Sequence, residues 1–546
     1  MQKRRMSSTF DGLFIARSGV RAARANLNVT GQNITNSTTS GYTRQRVNQS
    51  AITPPSLDSF YSGTGEAVCG QGADADSTVQ LRDAFLDGEY RVQNAESGES
   101  SALLSALSPL EDIFSYSTTA ADSDSSSVVD VLDNALGDFV SQLQNLTSGK
   151  SDAAESVIRD AADLLTKKFN TASKLLETAW NQQAEQLSDY AVPEVNDLLQ
   201  GIADLDGRIE DAENSGGSAL ELRDQRNLKL DELSKYLDLR VEEKDVEIGA
   251  GKTVPELCVF LADRDGNALL KEDGSPEFTL VSGESCASFS IDTGTKESGE
   301  VLLSLNSPGA GGENKDFSNA DLASGSLAGC LKVLNENGEY DIREETGDTA
   351  SFRGIGYYRK LLDTLAQTFA QKMNSQNATG DEPVKPLFTS GGSDAVTAGN
   401  IQLSADWTIG SGYLTTSTEG ANPGDSTDTS YSNITAMIAA LTSDKIDFKT
   451  PDGVVLLSGT IQKAFMDVPD SLGRSVSGIS QTDSDNSNRL ENIDSSRQSI
   501  SSVSVDDEAI SLVQFNEALQ ASARFMTAVD ECLQTIINSM GIAGRG

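Results

Sequence analysis

The chain has 546 residues and sets 42 Lys and Arg against 82 Asp and Glu, a formal net charge of −40. That excess argues against nucleic acid and anionic membrane surfaces as partners, because both are polyanions. There is no histidine, which removes the commonest general base and the commonest metal ligand together.

Residues 10–36 are predicted helical. Along them Leu13, Ala16, Val20, Ala23, Leu27, Thr30 and Ile34 alternate three and four apart, the spacing of a heptad seam. Residues 37–80 are rich in Gly, Ser, Thr and Asp and contain Pro54-Pro55; they predict extended, loop-rich chain with short strands. Helices are predicted over 81–114 and 126–148, parted by a Ser- and Asp-rich stretch at 115–127. From Asp152 to Glu213 the pattern is helical over a long distance, with Leu198, Ile202, Leu205 and Ile209 in one stripe and Pro193 kinking or dividing it. Gly216-Gly217 ends that run, and Leu220–Tyr236 predicts a further helix.

The character changes at Leu239. From there to about Gly312, runs such as Leu257–Leu261, Phe278–Val281 and Val301–Leu305 are separated by Gly, Pro and Asp turns, the pattern of an all-β insertion. Helix returns from Gly356 to Asn377, where Leu361, Leu362, Leu365, Phe369 and Met373 line one face. Residues 378–430 are loop-rich. Helices are predicted again around Ser432–Leu441, Ser458–Val476 and Thr482–Ser501. The segment Asp483–Ser501 is polar nearly throughout, so it is either a solvated helix or one that needs a partner. A second seam closes the chain: Leu512, Phe515, Leu519, Ser522, Met526, Val529, Leu533, Ile536 and Met540.

The expected fold is mainly α with an all-β insertion. A terminal antiparallel helical coiled coil (1–50 with 502–546) pairs the chain ends, a helical-bundle domain (51–238 with 321–501) follows, and an outer β domain (239–320) projects from it. The terminal seams are thin. Each large residue contributes roughly 1.5–3 kcal/mol on burial, whereas ordering about 25 residues costs about 1–2 kcal/mol each. The termini are therefore expected to be weakly formed alone and to fold fully on assembly.

Catalytic chemistry finds no footing. Without histidine no Ser–His or Cys–His pair exists, and no P-loop is present. Gly63 and Gly65 lack the third glycine and the strand–turn–helix setting of a dinucleotide site. Asp263-Arg264-Asp265-Gly266-Asn267 has its glycine too early for a calcium loop and reads as a hairpin turn. Asp506-Asp507-Glu508 reads as the acidic opening of the terminal helix, favourable to its N-terminal dipole. Cys69, Cys258, Cys286, Cys330 and Cys532 are scattered, with no CxxC pair, so a zinc site is not expected. An odd count precludes complete pairing, and free thiols are expected. No catalytic, cofactor or metal site is assigned. No apolar run approaches a membrane span. Met1–Arg5 has the basic character of a signal-peptide start, but Asp11, Arg17, Arg21 and Arg24 interrupt any apolar core. The chain is expected to be cytosolic, or exported without a cleaved signal.

Four stretches carry a family resemblance. Asn33-Ile34-Thr35-Asn36 followed by Ser40-Gly41-Tyr42-Thr43-Arg44, at the end of the first seam, resembles the N-terminal signature of bacterial flagellar axial proteins. Met6-Ser7-Ser8 is similar to the usual start of the hook-associated type. Leu220–Arg226 with Leu230-Asp231-Glu232-Leu233, and Gly325-Ser326-Leu327-Ala328-Gly329 followed by Tyr358, Leu361–Ala366 and Asn374, resemble blocks of the hook-associated protein 1 family. An acidic insertion at about Asn335–Asp348 parts that last block. Val503–Ala509 leading to Gln520-Ala521-Ser522-Ala523-Arg524 resembles the family's C-terminal block, with Ser502 in place of its Gly and Leu519 in place of its Tyr.

The resemblance implies a structural, non-enzymatic component of the bacterial flagellum, at the junction of hook and filament. It implies type III export without a cleaved signal and an extracellular location. Self-assembly into a ring or short tube is implied, with hook protein on one side and the second hook-associated protein and filament on the other. The assembly residues carried over are Leu13, Val20, Leu27, Ile34, Asn33, Asn36, Gly41, Tyr42 and Arg44. Leu512, Phe515, Leu519, Met526, Val529, Leu533 and Ile536 are carried over for assembly and for binding an export chaperone. Ala22, Ala23, Ala521 and Ala523 are expected to allow close helix packing between subunits. Two alternatives are another flagellar axial protein, flagellin-like or hook-like, and an adhesin or enzyme displayed on a flagellar scaffold. No nucleic acid, membrane or cofactor is implied.

Overall fold

The structure, a computed structural model, describes residues 11–52, 72–114, 128–148, 154–249, 252–271, 274–293, 300–307, 315–317, 322–341, 352–377, 385–393, 395–410, 413–417 and 431–542. Met1–Phe10, Pro54-Pro55, Gly63, Gly65, Cys69, the 115–127 stretch, most of the acidic insertion (342–351) and the Met540 side chain lie outside it.

Helix α1 (Asp11–Thr35) leads into an antiparallel hairpin of β1 (Gln45–Ala51) and β2 (Ala73–Gln80). Helices α2 (Ala84–Phe114), α3 (Val128–Thr147) and α4 (Ala154–Gln186) follow. One π-helical turn, Leu187–Ala191, joins α4 to α5 (Val192–Asn214). Pro193 has no N–H to continue the α-helical ladder, and the re-registered turn falls directly before it. Helix α6 (Leu220–Leu233) begins beyond the positive-φ turn at Gly216.

Two antiparallel sheets come next. β3 (Leu239–Gly249), β4 (Lys252–Leu261), β5 (Thr279–Ser282) and β6 (Ser285–Cys286) pair in that order. β7 (Ser288–Asp292), β8 (Leu302–Asn306) and β9 (Lys315–Phe317) form the second sheet. The chain re-enters helix at α7 (Ser326–Asn335), makes a 3-10 turn at Gly338–Tyr340 and continues as α8 (Ile355–Gln376). The short pair β10 (Phe388–Thr389) and β11 (Gln402–Leu403), α9 (Ala405–Ile409), α10 (Ser432–Thr442) and the hairpin β12 (Ile446–Lys449)–β13 (Val455–Gly459) precede two long helices, α11 (Ile461–Ser501) and α12 (Val505–Ile542).

Two apolar cores organise the described residues. In the first, α4 contributes Ile158, Ala162, Leu165, Phe169, Ala172 and Leu176, spaced four and three apart on one face. They meet α3, α8, α10 and the start of α11. Edge-to-face rings join the layers: Phe139–Phe369 at 6.1 Å, Phe369–Phe388 at 4.9 Å and Phe388–Trp407 at 6.0 Å. The second core joins both sheets to α5, α6 and α7, through Leu199, Ile202, Leu230, Leu257, Leu303 and Leu331 among others. The β strands thus share their core with helices from either side of them in sequence.

Several elements differ from the sequence expectation, among them the short β10–β11 pair and α9 within the stretch read as loop. Helices around Ser458–Val476 and Thr482–Ser501 are one continuous α11, capped at Thr460, whose Oγ1 accepts from Lys463 N at 3.1 Å. The hairpin β12–β13 was not expected; its Asp452-Gly453 turn, with Gly453 at φ +91°, is the local cause. Helix α7, also not expected, begins inside the Gly325–Gly329 block and runs on to Asn335. The polar segment Asp483–Ser501 has a partner, α2. Ser100 Oγ donates to Asp483 (3.0 Å), Asn486 Nδ2 to Glu96 O (3.2 Å), and the Arg497 guanidinium stacks 3.9 Å from the Tyr90 ring centroid.

Candidate assembly surface on the terminal hairpin

α1 and α12 lie antiparallel: Gly12 abuts Val529 and Gly19 abuts Ser522. The α1 residues that are most covered are small or polar. Ala16, Ala23, Asn26, Thr30 and Asn33 are buried, and with Gly12 and Gly19 they complete a stripe spaced four and three apart. A Cβ on Gly19 would stand 2.8 Å from Ser522 Oγ, so this stripe lets the helices approach closely. Leu13, Val20, Leu27 and Ile34 lie one residue further round and are half-buried. On α12, Phe515, Leu519, Met526 and Val529 are half-buried and Leu533 is buried, whereas Leu512 and Ile536 are exposed. Ala22 is buried with Ala23, while Ala521 and Ala523 are exposed.

The outer side of α12 is apolar as well. Val513 is 55% exposed, Phe525 46% and Ile537 67%. Phe525, Ala528, Val529, Cys532, Leu533 and Ile536 line an open groove of about 410 Å³. Beside it, Ile15, Ala16, Gly72, Ala521 and Phe525 line a second groove where the β1–β2 hairpin reaches α1.

The signature after α1 builds the joint between this hairpin and the helical body. Asn33, 1% exposed, uses its whole amide: Nδ2 donates to Gln45 O (2.9 Å), and Oδ1 accepts from Tyr42 Oη (2.9 Å) and Gln45 N (3.0 Å). Asn36 Nδ2 donates to Gln32 O at 3.1 Å and closes the helix end. Gly41, at φ +75°, turns the chain in a conformation other residues avoid. Tyr42 is pushed up to about 12 by burial and by Asp224, Glu221 and Glu508 nearby. Arg44 holds both long helices: its Nε meets Glu508 Oε1 of α12 at 2.7 Å, and its backbone N donates to Ser501 O at the end of α11 at 2.8 Å.

Sequence reasoning missed the ionic groups that continue this joint. Asp224 Oδ2 accepts from Thr43 N (3.1 Å); burial raises its carboxyl above the usual range, offset in part by Thr43. Arg82 holds Asp87 in a two-bond fork at 3.0 Å each. Asp231 is shared by Arg91 (3.0 Å) and Arg497 (2.5 Å). On the other side of α6, Arg226 bridges Asp206 (2.5 Å) and Glu243, and Arg223 bridges Glu213 (2.9 Å) and Glu243 (3.0 Å). Helix α6 therefore ties the joint to both the body and the sheet. Its only sequence signal was the charged Leu220–Arg226 block, which does not say which charges meet.

Cys258, Cys286, Cys330 and Cys532 are free thiols. Asp263 Oδ1 accepts from the backbone N of Asp265 (3.0 Å) and Asn267 (2.8 Å), which makes 263–267 a tight turn. Among the described residues no group of His, Cys, Asp or Glu is placed to hold a metal, and no helix is long and apolar enough to cross a membrane.

Residues 123–384 match the family described as the flagellar hook-associated protein FlgK helical domain. The chain is 28% identical to flagellar hook-associated protein 1 of Bacillus subtilis over 562 aligned positions, covering 99% of this chain and 100% of that protein. It is 27% identical to the Escherichia coli protein of that name over 42% of this chain and 39% of the relative. The Salmonella typhimurium protein is 25% identical over 67% of this chain and 56% of its own length. The solved flagellar hook junction protein FlgK from Burkholderia pseudomallei aligns with 56% of this chain and 47% of its own, at 18% identity and a TM-score of 0.40. The sequence matches point to a flagellar hook-associated structural protein, part of the external flagellum. Within that class the chain is similar to the FlgK family, whose model matches its residues 123–384.

Proposed function

We propose that the chain is a hook–filament junction protein, which caps the hook and supplies the adaptor lattice on which the filament assembles. One observation carries this reading: the terminal hairpin leaves large apolar side chains uncovered on α12, Val513, Phe525 and Ile537 among them, while packing the small residues of α1 against α12. Such a surface favours further helix packing from neighbouring copies. Copies would close into a ring or short tube through residues 1–50 and 502–546. The helical unit (51–238 with 321–501) would surround it, and the β-rich unit (239–320) would face solvent. Hook protein would meet one side; the second hook-associated protein and filament would meet the other. Before export without a cleaved signal, a cytoplasmic chaperone would mask the α12 groove around Phe525 and Leu533.

Electron microscopy of cells lacking the gene, with flagellin measured in the medium, tests this reading. Bare hooks with shed flagellin are expected. Normal filaments would refute it, and absent hooks would place the protein in the rod or hook instead.

A further inference from the structure

The β-rich segment leaves and rejoins the helical body at one crossing. The outgoing segment of this crossing is 235–239 and the returning one is 322–327. Three backbones touch there. Ser326 N donates to Lys235 O (3.0 Å), Leu327 N to Tyr236 O (3.3 Å), and Gly325 N to Ala95 O of α2 (3.1 Å). A Cβ on Gly98 would stand 2.1 Å from Lys235 O, and one on Gly329 2.9 Å from Glu99 O. There is no slack in this packing.

A carboxyl sits in the middle of it. Asp238 is 2% exposed; Ser324 Oγ donates to its Oδ2 at 2.5 Å, and its backbone O accepts from Ala262 N at 3.1 Å. Its Oδ1 has no hydrogen-bond partner among the described residues, and neither has the nearby Ser326 Oγ, at the start of α7. The charged groups facing the site are Glu99 from α2 and Arg264 from the turn after β4. Arg264 donates to Ala323 O and to Glu99 at 2.9 Å each, and Lys332 of α7 is paired with Glu99 as well. Both cations are thus engaged by Glu99, and neither bonds Asp238 directly. A buried, half-satisfied carboxylate is costly in its ionised form.

We propose that Asp238 is a proton-operated latch at the root of the β-rich unit, seating that unit firmly on the helical body when protonated and loosening the seat as the proton leaves. Burial is the main cause of its altered titration and pushes the carboxyl from 3.8 up to about 7; Ser324 and Arg264 pull it down, and Glu99 pushes it up. The sign follows from linkage. When the crossing opens, the carboxyl meets water and its ordinary acidity returns. Opening is least favoured below pH 3.8, grows between there and about pH 7, and levels off above.

Hydrogen exchange on the full chain, corrected for the intrinsic pH dependence of amide exchange, reads this directly at the crossing amides of Ala262, Gly325, Ser326 and Leu327. In the native protein their protection should fall with rising pH by up to about tenfold per pH unit within that window. The amides of α10, a helix without a titratable side chain, should show no such trend. Asp238→Asn, which cannot ionise, should keep the crossing protected throughout. Ser324→Ala removes a donor that favours the ionised form and should move the levelling-off to higher pH. If native and Asp238→Asn crossings lose protection in parallel, or if Ser324→Ala leaves the pH dependence where it was, the latch does not exist.

Discussion

Replacing Gly325 by alanine measures how far a close backbone approach fixes the β-rich unit to the body. Gly325 has φ +97° and ψ 163°, a region essentially reserved for glycine, and entering it costs another residue about 1–3 kcal/mol. The added Cβ would also lie 2.2 Å from Tyr236 O and 2.6 Å from its carbonyl carbon. Backbone cannot rotate away as a side chain can, so the 235–237 link must shift. That movement strains the Ser326–Lys235 and Leu327–Tyr236 hydrogen bonds, each contributing about 1 kcal/mol net. The total is on the order of 3–5 kcal/mol. Gly274 supplies the control: it has φ +82° but open space around it, so alanine there should cost only about 1–2 kcal/mol. Urea unfolding followed by tryptophan fluorescence suits the comparison, because Trp180 Nε1 donates to Leu334 O of α7 at 3.1 Å and reports on the seating of that helix. If Gly325→Ala is no more destabilising than Gly274→Ala, the close approach is not what requires glycine.

Phe525→Ser should cost the monomer only about 1 kcal/mol of thermal stability, since little more than half of the ring is covered there. The same variant should fail to restore filaments in cells lacking the gene; full restoration would remove the α12 groove from the assembly surface. Arg497→Leu leaves Asp231 with Arg91 alone and exposes Tyr90, a loss of about 3 kcal/mol. Arg497→Lys should recover only part of this in a calorimetric scan, because lysine lacks the planar fork and the stacking face. Burial pushes the Cys330 thiol up to about 11, so a maleimide at neutral pH should label exposed Cys532 in the folded protein and reach Cys330 only on unfolding. Equal labelling rates would contradict the packing around α7.

Sequence periodicity marked the helices because a buried face repeats every 3.6 residues whatever it packs against. The runs carrying Leu361, Leu365, Phe369 and Met373, or Leu198 and Ile202, announce themselves for that reason. The punctuated runs after Leu239 likewise marked the strands. The heptad spacing near both termini identified two helices capable of pairing. It did not say which side would pair. Ala16 and Ala23 stood in the seam beside larger residues, but Gly12 and Gly19 have no side chain to register, yet closeness of approach, not side-chain volume, put them against α12.

Tertiary structure alone decided the rest. A carboxylate or guanidinium looks the same in sequence whether it is solvated or shared, so Asp231 between Arg91 and Arg497, or Arg44 on Glu508, could not be read from spacing. Asp238 is one acid among 82 Asp and Glu residues. Only the crossing of three backbone segments around it removes the water that would keep it ordinary. Local pattern fixes which elements form, because it depends on neighbours along the chain. The environment of each charge depends on segments hundreds of residues apart, and only the folded chain brings them together.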